Sequence, residues 1–388
     1  MYISAVGLIN ALGNTPDEIA ANLTHGVAPG MRPRPGWLVG HPEAVLAGVD
    51  GELPAIPPAF AEHDSRNNRL LLAALAQIRP QVDAAIARFG HDRVAVVLGT
   101  STSGLDEGDR YADARLNARP VSDWHYSRQE LGDPSRFLSH WLNLSGPAWT
   151  LSTACSSSAR AIISGRRLIE CGLADVAIVG GADTLSRMPV NGFHSLESLS
   201  VSRCQPFAEG RGGITIGEGA GLMLLTREPQ AIALLGIGES SDAHHISAPH
   251  PQGEGAIRAI RQALAEARLR PQEVGYINLH GTATPLNDRI ESQVVHDLFG
   301  ERVPCSSTKH LTGHTLGAAG ITEAALSVLI LERDLPLPPQ DFSQSPPDPA
   351  LPPCGLLLAP QPLLRPTILS TSFAFGGNNA AILTGKTA

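Results

Sequence analysis

The chain has 388 residues, 43% hydrophobic and 17% charged, so it can bury a large core and does not have the composition of a disordered protein. Its formal net charge of −8 excludes a globally basic surface of the kind that binds nucleic acid, so an acidic partner would need a local basic patch. Five cysteines without paired spacing, and no CxxC pattern with matching histidines, argue against a disulfide framework and a zinc site.

The first residues, MYISAVGLINALGNTPDEIAANL, are partly apolar but have neither a basic leader nor a long apolar core. They are therefore not expected to act as a secretory signal. No run in the chain approaches the roughly 18 uninterrupted apolar residues of a membrane span, so none is expected. The resulting expectation is a cytoplasmic protein in a reducing compartment.

Short apolar runs alternate with longer alanine-rich helical patterns, which predicts an α/β architecture. Buried strands that end at glycine are predicted at 93–100, 175–183 and 274–282. Helices are predicted at 67–78, 156–172, 254–269, 287–300 and 317–334. The segments 29–58 and 335–353 are rich in proline and glycine and are predicted to be long surface loops.

Two segments share a pattern of apolar strand, glycine-rich reversal and second apolar strand, namely ITIGEGAGLMLLT at 214–226 and STSFAFGGNNAAILT at 370–384. Each closes a half that already contains a strand ending in Gly-Thr and a helix rich in small residues. The pattern favours a duplicated molecule with an N-terminal half, 1–228, and a C-terminal half, 229–388. Glycine-rich hairpins are common, so this similarity alone leaves the duplication open.

Cys155 stands among small hydroxyl and alanine residues in TLSTACSSSARAI, at the start of a predicted helix. The unpaired N–H groups and the positive end of the helix dipole would favour its thiolate, which makes Cys155 a candidate nucleophile. The alternative is a small buried side chain, since free cysteine is often simply packed in the core. Cys171, at the far end of the same helix, fits that alternative better.

Two stretches of the C-terminal half contain candidate histidines. In HGTATPLNDRIE, His280 ends a predicted strand, where ligands gather in open α/β sheets. In SSTKHLTGHTLGAAGITEA, Lys309 and His314 lie on a loop that enters a helix, with Glu323 as a charge partner for the lysine. The alternatives are a structural histidine and a solvated Lys–Glu pair.

A glycine-rich turn, FAFGGNN at 373–379, carries Phe375 and Gly376 and could donate a backbone N–H or move as a gate. The alternative is a tight hairpin without a function. Neither this turn nor GEGAG at 217–221 has the spacing of a phosphate-binding loop. One thiol, two histidines and a lysine together fit thioester chemistry without a metal, because a thiolate can capture an acyl group and neutral imidazoles can hydrogen-bond to an enolate oxygen.

Four motifs, TACSSSARAI, HGTATPLND, STKHLTGHTLGAAG and FAFGGNN, occur in this order and resemble those of the β-ketoacyl-acyl-carrier-protein synthases of the thiolase superfamily. The resemblance covers essentially the whole chain. It implies a thiolase-like α/β fold, a duplicated αβαβα arrangement of five layers. It also implies an acyltransferase that joins an enzyme-bound acyl chain to malonyl-carrier protein by decarboxylative Claisen condensation. No cofactor is implied, because the carrier protein supplies the phosphopantetheine.

The resemblance also implies roles for the matching residues. Cys155 is implied as the acyl-accepting nucleophile, and His280 and His314 as the pair that supports decarboxylation and stabilises the enolate. Lys309 and Glu323 are implied to organise charge and water, and Thr282 and Thr284 to line the phosphopantetheine channel. The backbone N–H groups of Cys155 and Phe375 are implied to form the oxyanion hole. The Phe375 ring, next to Gly376, is implied as the acyl gate. A histidine at 314, where initiating enzymes of the family carry asparagine, implies an elongating enzyme.

Two departures from the usual family pattern bear on the pathway. The gate loop reads FAFGGNN where GFGGTN is usual, so Ala374 and Asn378 are expected to change how it moves. Segment 192–213 is shorter than in housekeeping fatty-acid elongation enzymes. Both features resemble ketosynthases of aryl-polyene-type pathways, which work beside a chain-length-factor subunit. The alternatives are a housekeeping elongation enzyme, a thioesterase or acyltransferase without condensation, and a non-catalytic subunit that shapes chain length.

The implied partners are an acyl carrier protein and a second subunit, either an identical copy or a chain-length-factor-like chain. No nucleic acid is expected. Because carrier proteins of this kind are acidic, Arg66, Arg69 and Arg203 are candidates for a docking patch, and the alternative is that they are ordinary solvated arginines. If Arg66 and Arg69 dock the carrier, exchanging both for glutamate should raise the KM for carrier protein and leave kcat little changed.

Overall fold

The computed structural model describes residues 1–121 and 124–387. The strands within these ranges are β1 (Tyr2–Ile9), β2 (Met31–Pro35), β3 (Glu43–Ala47), β4 (Val94–Gly99), β5 (Ala148–Leu151), β6 (Val176–Asp183), β7 (Gly219–Thr226), β8 (Ile232–Ser241), β9 (Tyr276–Asn278), β10 (Cys305–Ser306), β11 (Thr367–Ala374) and β12 (Asn378–Lys386). The α-helices are α1 (Pro16–His25), α2 (Arg66–Phe89), α3 (Leu105–Leu116), α4 (Asp133–Trp141), α5 (Ser157–Glu170), α6 (Arg187–Ser195), α7 (Glu254–Ala267), α8 (Pro285–Phe299), α9 (Lys309–Thr312) and α10 (Ala319–Arg333).

Ten strands form one sheet in the order β10-β9-β11-β12-β8-β1-β7-β6-β4-β5. This order is symmetric about its centre. On one side of the centre, β8 is followed by β12, β11, β9 and β10. On the other side, β1 is followed by β7, β6, β4 and β5. Each strand therefore has a counterpart in the other half. The halves join through a short antiparallel pairing of Tyr2 with Ala233 and Ile3 with Ile232. The predicted boundary at 228/229 lies in the link between β7 and β8.

Helices cover both faces of each half-sheet. Helices α5 and α10 pack against each other in the middle layer, α5 on β4 and β6 and α10 on β11 and β12. Every residue of α10 from Ala319 to Leu331 is buried, as expected for a helix enclosed on all sides. Helices α2 and α4 cover the outer face of the N-terminal half-sheet, and α7 and α8 share a core with the C-terminal one. The predicted five-layer αβαβα fold is therefore confirmed.

Most predicted elements are confirmed, with shifts at their ends. The strands predicted at 93–100 and 175–183 are β4 and β6, whereas the strand predicted at 274–282 shortens to β9. The helix predicted at 67–78 is too short, since α2 runs through Pro80 to Phe89. Buried Val82 and Ile86 continue the helical repeat beyond the proline, and their packing on the sheet holds the helix together there.

Two predictions about local structure were wrong. Segment 29–58 contains the antiparallel ribbon β2–β3 rather than a loop throughout. The hairpin predicted at 214–226 does not form, because β7 starts at Gly219 and pairs with β1 and β6. A Cβ at Gly217 would lie 2.4 Å from the Thr312 carbonyl oxygen. Gly217 therefore allows two chain segments to pack closely and does not form a hairpin turn. The hairpin predicted at 370–384 is real and consists of β11 and β12.

Among the described residues, α2 alone has the length and composition that a membrane span would need. Its apolar residues Leu71, Leu75 and Ile78 are buried in the same core as the strand residues Val96 and Leu222. This packing identifies α2 as a core helix of the fold.

Candidate active site

The bend between β5 and α5 places Cys155. Ala154 has a left-handed backbone, φ 51°, and Ser157 Oγ donates to the Ala154 carbonyl oxygen at 2.6 Å. Helix α5 begins at Ser157 with Ser156 as its N-cap, so Cys155 precedes the helix instead of occupying its first turn. The thiol is nevertheless held at the helix N-terminus, and Cys155 is buried at 7% exposure.

His314 reaches Cys155 from the other half of the molecule. Its Nε2 lies 3.1 Å from Cys155 Sγ, and its Nδ1 accepts the backbone N–H of Leu316 at 3.3 Å. Since a backbone N–H can only donate, Nδ1 is the lone-pair nitrogen and Nε2 carries the ring proton. The imidazole therefore donates a hydrogen bond to sulfur.

His280 is oriented in the same sense by a buried lysine. Lys309 Nζ lies 3.4 Å from His280 Nδ1 and forms an ion pair with the Glu323 carboxylate. Donation from the lysine assigns the ring proton of His280 to Nε2. The rings of His280 and His314 stand at 89° with centroids 5.4 Å apart, so two N–H donors converge near the thiol.

Burial sets the protonation states of these groups. It raises the pKa of Cys155 to about 11, although Lys309 and the backbone N–H groups of Phe375 and Cys155 act in the opposite direction. The sequence-based expectation of a stabilised resting thiolate is therefore wrong, because desolvation outweighs those groups. Burial, and next the charge of Lys309, also hold the pKa values of His280 and His314 well below the usual range, so both imidazoles are neutral.

One nitrogen of each histidine and Cys155 Sγ lie within 4.8 Å of one another, a spacing that could accommodate a metal ion. The surroundings oppose that use. A metal-bound histidine ordinarily donates its other N–H to a carboxylate or a carbonyl group. Here the Nδ1 of His280 faces Lys309 and the Nδ1 of His314 faces the Leu316 N–H, and both of these are donors.

A cavity of about 290 Å³ opens onto the thiol. Its lining includes Cys155 and both histidines, and Thr282 and Thr284 lie along it with their hydroxyls 2.9 Å apart. The structure thus brings the predicted nucleophile, the two histidines and the two threonines to one cavity. Lys309 and Glu323 lie buried behind His280.

Comparison with known proteins agrees with this geometry. The family model "Beta-ketoacyl synthase, N-terminal domain" matches residues 38–231, and "Beta-ketoacyl synthase, C-terminal domain" matches residues 232–342. The chain belongs to the β-ketoacyl synthase family. It is 36% identical over 314 residues to 3-oxoacyl-[acyl-carrier-protein] synthase 2 of Staphylococcus aureus. The matched region covers 75% of this chain and 77% of the relative.

Solved structures agree over the full length of the synthase. The ketosynthase ApeO of Xenorhabdus doucetiae, solved in complex with its chain length factor ApeC, matches at 64% identity with a TM-score of 0.99, covering 100% of this chain and 98% of that one. The ishigamide ketosynthase/chain length factor matches at 26% identity with a TM-score of 0.88, covering 100% and 99%. The protein is a β-ketoacyl-acyl-carrier-protein synthase, an acyltransferase.

Phe375 stands between this cavity and a second one in the synthase. The second cavity, about 190 Å³, is also lined by Cys155 and Phe375, and it reaches Leu105 and Met188. Phe193 lines both cavities, and its ring lies 5.7 Å from that of Phe375. Sequence reasoning missed Phe193, because nothing in its neighbourhood distinguishes it from a core aromatic.

The turn that carries Phe375 is tied to a neighbouring loop. Gly376 has φ 81° and donates its N–H to the Ile246 carbonyl oxygen at 2.7 Å, and Asp242 donates its N–H to the Gly377 carbonyl oxygen at 2.8 Å. The positive φ favours glycine at this position. These two hydrogen bonds link loop 242–249 to the turn that carries Phe375.

Two buried carboxylates of the synthase accept hydrogen bonds from backbone N–H groups, a role that the sequence did not indicate. The carboxylate of Glu291 accepts the backbone N–H groups of His280 (2.8 Å) and Gly281 (2.6 Å), and Asp288 accepts that of Phe207 (2.8 Å). Burial raises the pKa of Glu291 to about 7 and that of Asp288 to about 6. The sequence signal that could have singled them out is the Asp-x-x-Glu spacing of Asp288 and Glu291, directly after the His280 strand.

The three arginines predicted to dock a carrier are all engaged with carboxylates. Arg66 forms a two-point hydrogen bond with buried Glu218, at 2.6 and 3.0 Å. Arg69 pairs with Asp64 on the surface. Arg203 donates to the His310 carbonyl oxygen at 2.7 Å and lies 3.4 Å from Asp341. Arg66 therefore has a buried structural partner, which the sequence did not indicate. A change at Arg66 disturbs this partner as well as any docking of a carrier protein.

Proposed function

We propose that this synthase carries out decarboxylative Claisen condensation on Cys155. The N-terminal half supplies the nucleophile and the C-terminal half supplies the hydrogen-bond donors. The observation that carries the proposal is the 3.1 Å contact of His314 Nε2 with Cys155 Sγ, beside a second neutral histidine that is also protonated on Nε2.

Acyl transfer comes first. Cys155 Sγ attacks the thioester carbonyl of an acyl-carrier protein, the carbon–sulfur bond of that thioester breaks, and the cysteine proton ends on the departing pantetheine sulfur. The His314 N–H stabilises negative charge on Sγ during the attack. Because a thioester sulfur is a poor acceptor, the acylated Cys155 then releases the His314 N–H for the second substrate.

Condensation follows at the same site. The thioester oxygen of malonyl-carrier protein accepts the Nε2–H groups of His280 and His314, which stabilise the enolate as the carbon–carbon bond breaks and carbon dioxide leaves. The enolate carbon attacks the carbonyl of the Cys155 thioester. In this proposal the backbone N–H groups of Cys155 and Phe375, which both act on Sγ, hold the tetrahedral oxyanion. Collapse breaks the carbon–sulfur bond to Cys155, whose thiolate takes up a proton from water, and releases a β-ketoacyl chain that is one C2 unit longer.

The buried Lys309–Glu323 pair positions His280 and contributes positive charge. Lys309 acts on both histidines and on the thiol, and Glu323 compensates its charge. We propose that the reaction uses no metal or redox cofactor, and the donors that face both Nδ1 atoms support this. The phosphopantetheine arm arrives with the carrier protein and passes Thr282 and Thr284.

The 64% identity to the ketosynthase ApeO, solved with a chain length factor, supports a heterodimeric assembly for this synthase too. Strand β5 lies at the edge of the sheet and exposes Trp149, and an unpaired edge with an exposed aromatic side chain supports a subunit interface there. We propose an aryl-polyene-type pathway in the cytoplasm, with bulk fatty-acid elongation as the alternative.

Mass spectrometry of the intact protein tests the proposal directly. Wild type and Cys155→Ala are incubated with acyl-carrier proteins of different chains, with and without a chain length factor, and then with malonyl-carrier protein. An acyl adduct on wild type alone, followed by carbon dioxide release and an extended product, is expected. An adduct without carbon dioxide release would indicate a simple acyltransferase or thioesterase. No adduct with any donor would indicate a non-catalytic subunit.

A further inference from the structure

The structure brings together two cysteines that stand 49 positions apart in the sequence, outside the active site. Cys305 lies in β10 and is fully buried, whereas Cys354 is half-buried at the surface. The backbone immediately after Cys354 pairs with Cys305: the Cys305 N–H donates to the Gly355 carbonyl oxygen at 2.8 Å, and the Leu357 N–H donates to the Cys305 carbonyl oxygen at 3.0 Å. A disulfide needs backbones that approach this closely.

The side chains of these two cysteines also meet. The neighbouring Cys354 thiol, and next burial, raise the pKa of Cys305. Both side chains belong to one apolar cluster, which also contains Ile277 and Leu356. Both are free thiols. The pair therefore has one member that solvent can reach and one that is enclosed directly behind it.

The pair joins a surface segment to the strand that leads into the active site. Segment 335–353, which is described throughout, has no helix or strand, as predicted, and nearby side chains anchor it. Ser306 Oγ donates to the Pro338 carbonyl oxygen at 2.6 Å, and the Ser307 N–H donates to Gln340 Oε1 at 2.9 Å. Lys309 follows two residues later. A bond between the cysteines would fasten the end of this segment to β10.

We propose that Cys305 and Cys354 form a reversible disulfide when the protein meets a peroxide. The Cys354 sulfur attacks one peroxide oxygen, the oxygen–oxygen bond breaks, and the first water leaves, so that Cys354 becomes a sulfenic acid. The Cys305 sulfur then attacks the Cys354 sulfur, the sulfur–oxygen bond breaks, and the second water leaves with the remaining proton. The two thiols lose two electrons and the peroxide gains them. A small-molecule thiol reverses the bond by exchange.

Peptide mapping without reduction tests the bond. The full-length protein is treated with hydrogen peroxide, remaining thiols are alkylated, and digests are compared before and after reduction. The expected result is one cross-linked peptide pair containing Cys305 and Cys354, which disappears on reduction and is absent from Cys354→Ser. Cys171 is exposed on the surface, so the expectation of a packed core cysteine was wrong, and it is the internal control for simple oxidation of an accessible thiol. Repeating the test on Cys155→Ala excludes exchange through the active-site thiol.

Thermal unfolding gives a second readout that does not depend on activity. Closing a loop of this length is expected to raise the midpoint of the oxidised wild type by roughly 5 °C, and reduction should restore the original midpoint. Cys354→Ser should show no such rise and should keep the activity of the reduced wild type. Oxidation of Cys171 while Cys305 and Cys354 stay separate, or the same midpoint before and after cross-linking, would overturn the proposal.

Discussion

His314 and Cys155 are 159 positions apart, yet Nε2 of one lies 3.1 Å from Sγ of the other. Leu316 fixes the tautomer so that this nitrogen donates. His280 carries its ring proton in the same way, but its ring makes its hydrogen bond with Lys309 and not with the sulfur. Both histidines are therefore neutral, but only His314 donates a hydrogen bond to the thiol. The two should therefore contribute to different steps of the reaction.

Replacing each histidine should affect different steps. His314→Ala is expected to slow both acyl transfer and condensation by about 10²–10³-fold, because the donor to Sγ is lost. His280→Ala should slow condensation by a similar factor and leave acyl transfer little changed. Quenched-flow mass spectrometry of the acyl adduct and carbon dioxide release measure the two steps. His310→Asn, a buried histidine on α9 away from the thiol, is the matched control, and equal loss of both steps in His280→Ala would contradict the assignment.

The resting thiol should react slowly at neutral pH. Since burial raises the pKa of Cys155 to about 11, alkylation by iodoacetamide is expected to accelerate about tenfold per pH unit between about pH 7 and pH 9. Peptide-resolved alkylation rates measure this for Cys155, with exposed Cys171 as the accessible reference. A plateau below pH 8 would mean that the helix N-terminus and the His314 donor outweigh desolvation.

Glu291 should make stability depend on pH. Its pKa in the folded protein is about 7, above the ordinary value of 4.5, so the native state binds more protons than the unfolded state between these values. The contribution of Glu291 to the free energy of unfolding is therefore complete below about pH 4.5 and is lost as pH rises through 7. Glu291→Gln should flatten this part of the curve and cost about 1–3 kcal/mol, because one backbone N–H at His280 or Gly281 loses its acceptor.

Denaturant titrations at several pH values measure the Glu291 effect. His280 and His314 act in the opposite sense: their lowered pKa values mean that their contribution is lost as pH falls below about 6.5. Glu254, at the start of α7, offers a control carboxylate on another helix. A pH profile identical in Glu291→Gln and wild type would contradict the prediction.

Carrier docking is better tested on Arg69 than on Arg66. Arg66→Glu would place a carboxylate beside buried Glu218 and should destabilise the fold by about 3–5 kcal/mol, whatever it does to docking. Arg69→Glu breaks a half-buried pair with Asp64 and should cost about 1 kcal/mol, much less than the change at Arg66. Steady-state kinetics with carrier protein, beside melting curves, separate the effects. An unchanged KM in a stable Arg69→Glu variant would remove that arginine from the docking surface.

Phe193 should control passage between the two cavities. Phe193→Ala removes one ring of the pair that separates them, so acyl groups too long for the wild-type path should acylate Cys155 faster. Adduct formation across a series of chain lengths measures this. Phe60→Ala, which removes a partly buried ring from the cluster around α4, serves as the control for general loosening. The same chain-length preference in wild type and Phe193→Ala would contradict the gate.

Local sequence determined much of this protein. Apolar runs that end at glycine predicted β4 and β6, because strands buried on both faces need continuous apolar residues. Small-residue surroundings singled out Cys155, and strand-end and loop positions singled out His280 and His314. The resemblance of four ordered motifs then implied the fold, the reaction and the role of each of these residues, and the fold and reaction class are confirmed.

Only the tertiary structure decided what depends on contacts between distant segments. Desolvation by both halves reverses the expected thiolate character of Cys155. The Leu316 N–H and Lys309 select the histidine tautomers, Glu218 withdraws Arg66 from the free surface, and the hairpin expected at 214–226 gives way to pairing of β7 with β1 and β6. Each of these outcomes is set by which groups meet across the fold, and a pattern of residues along the chain does not contain that information.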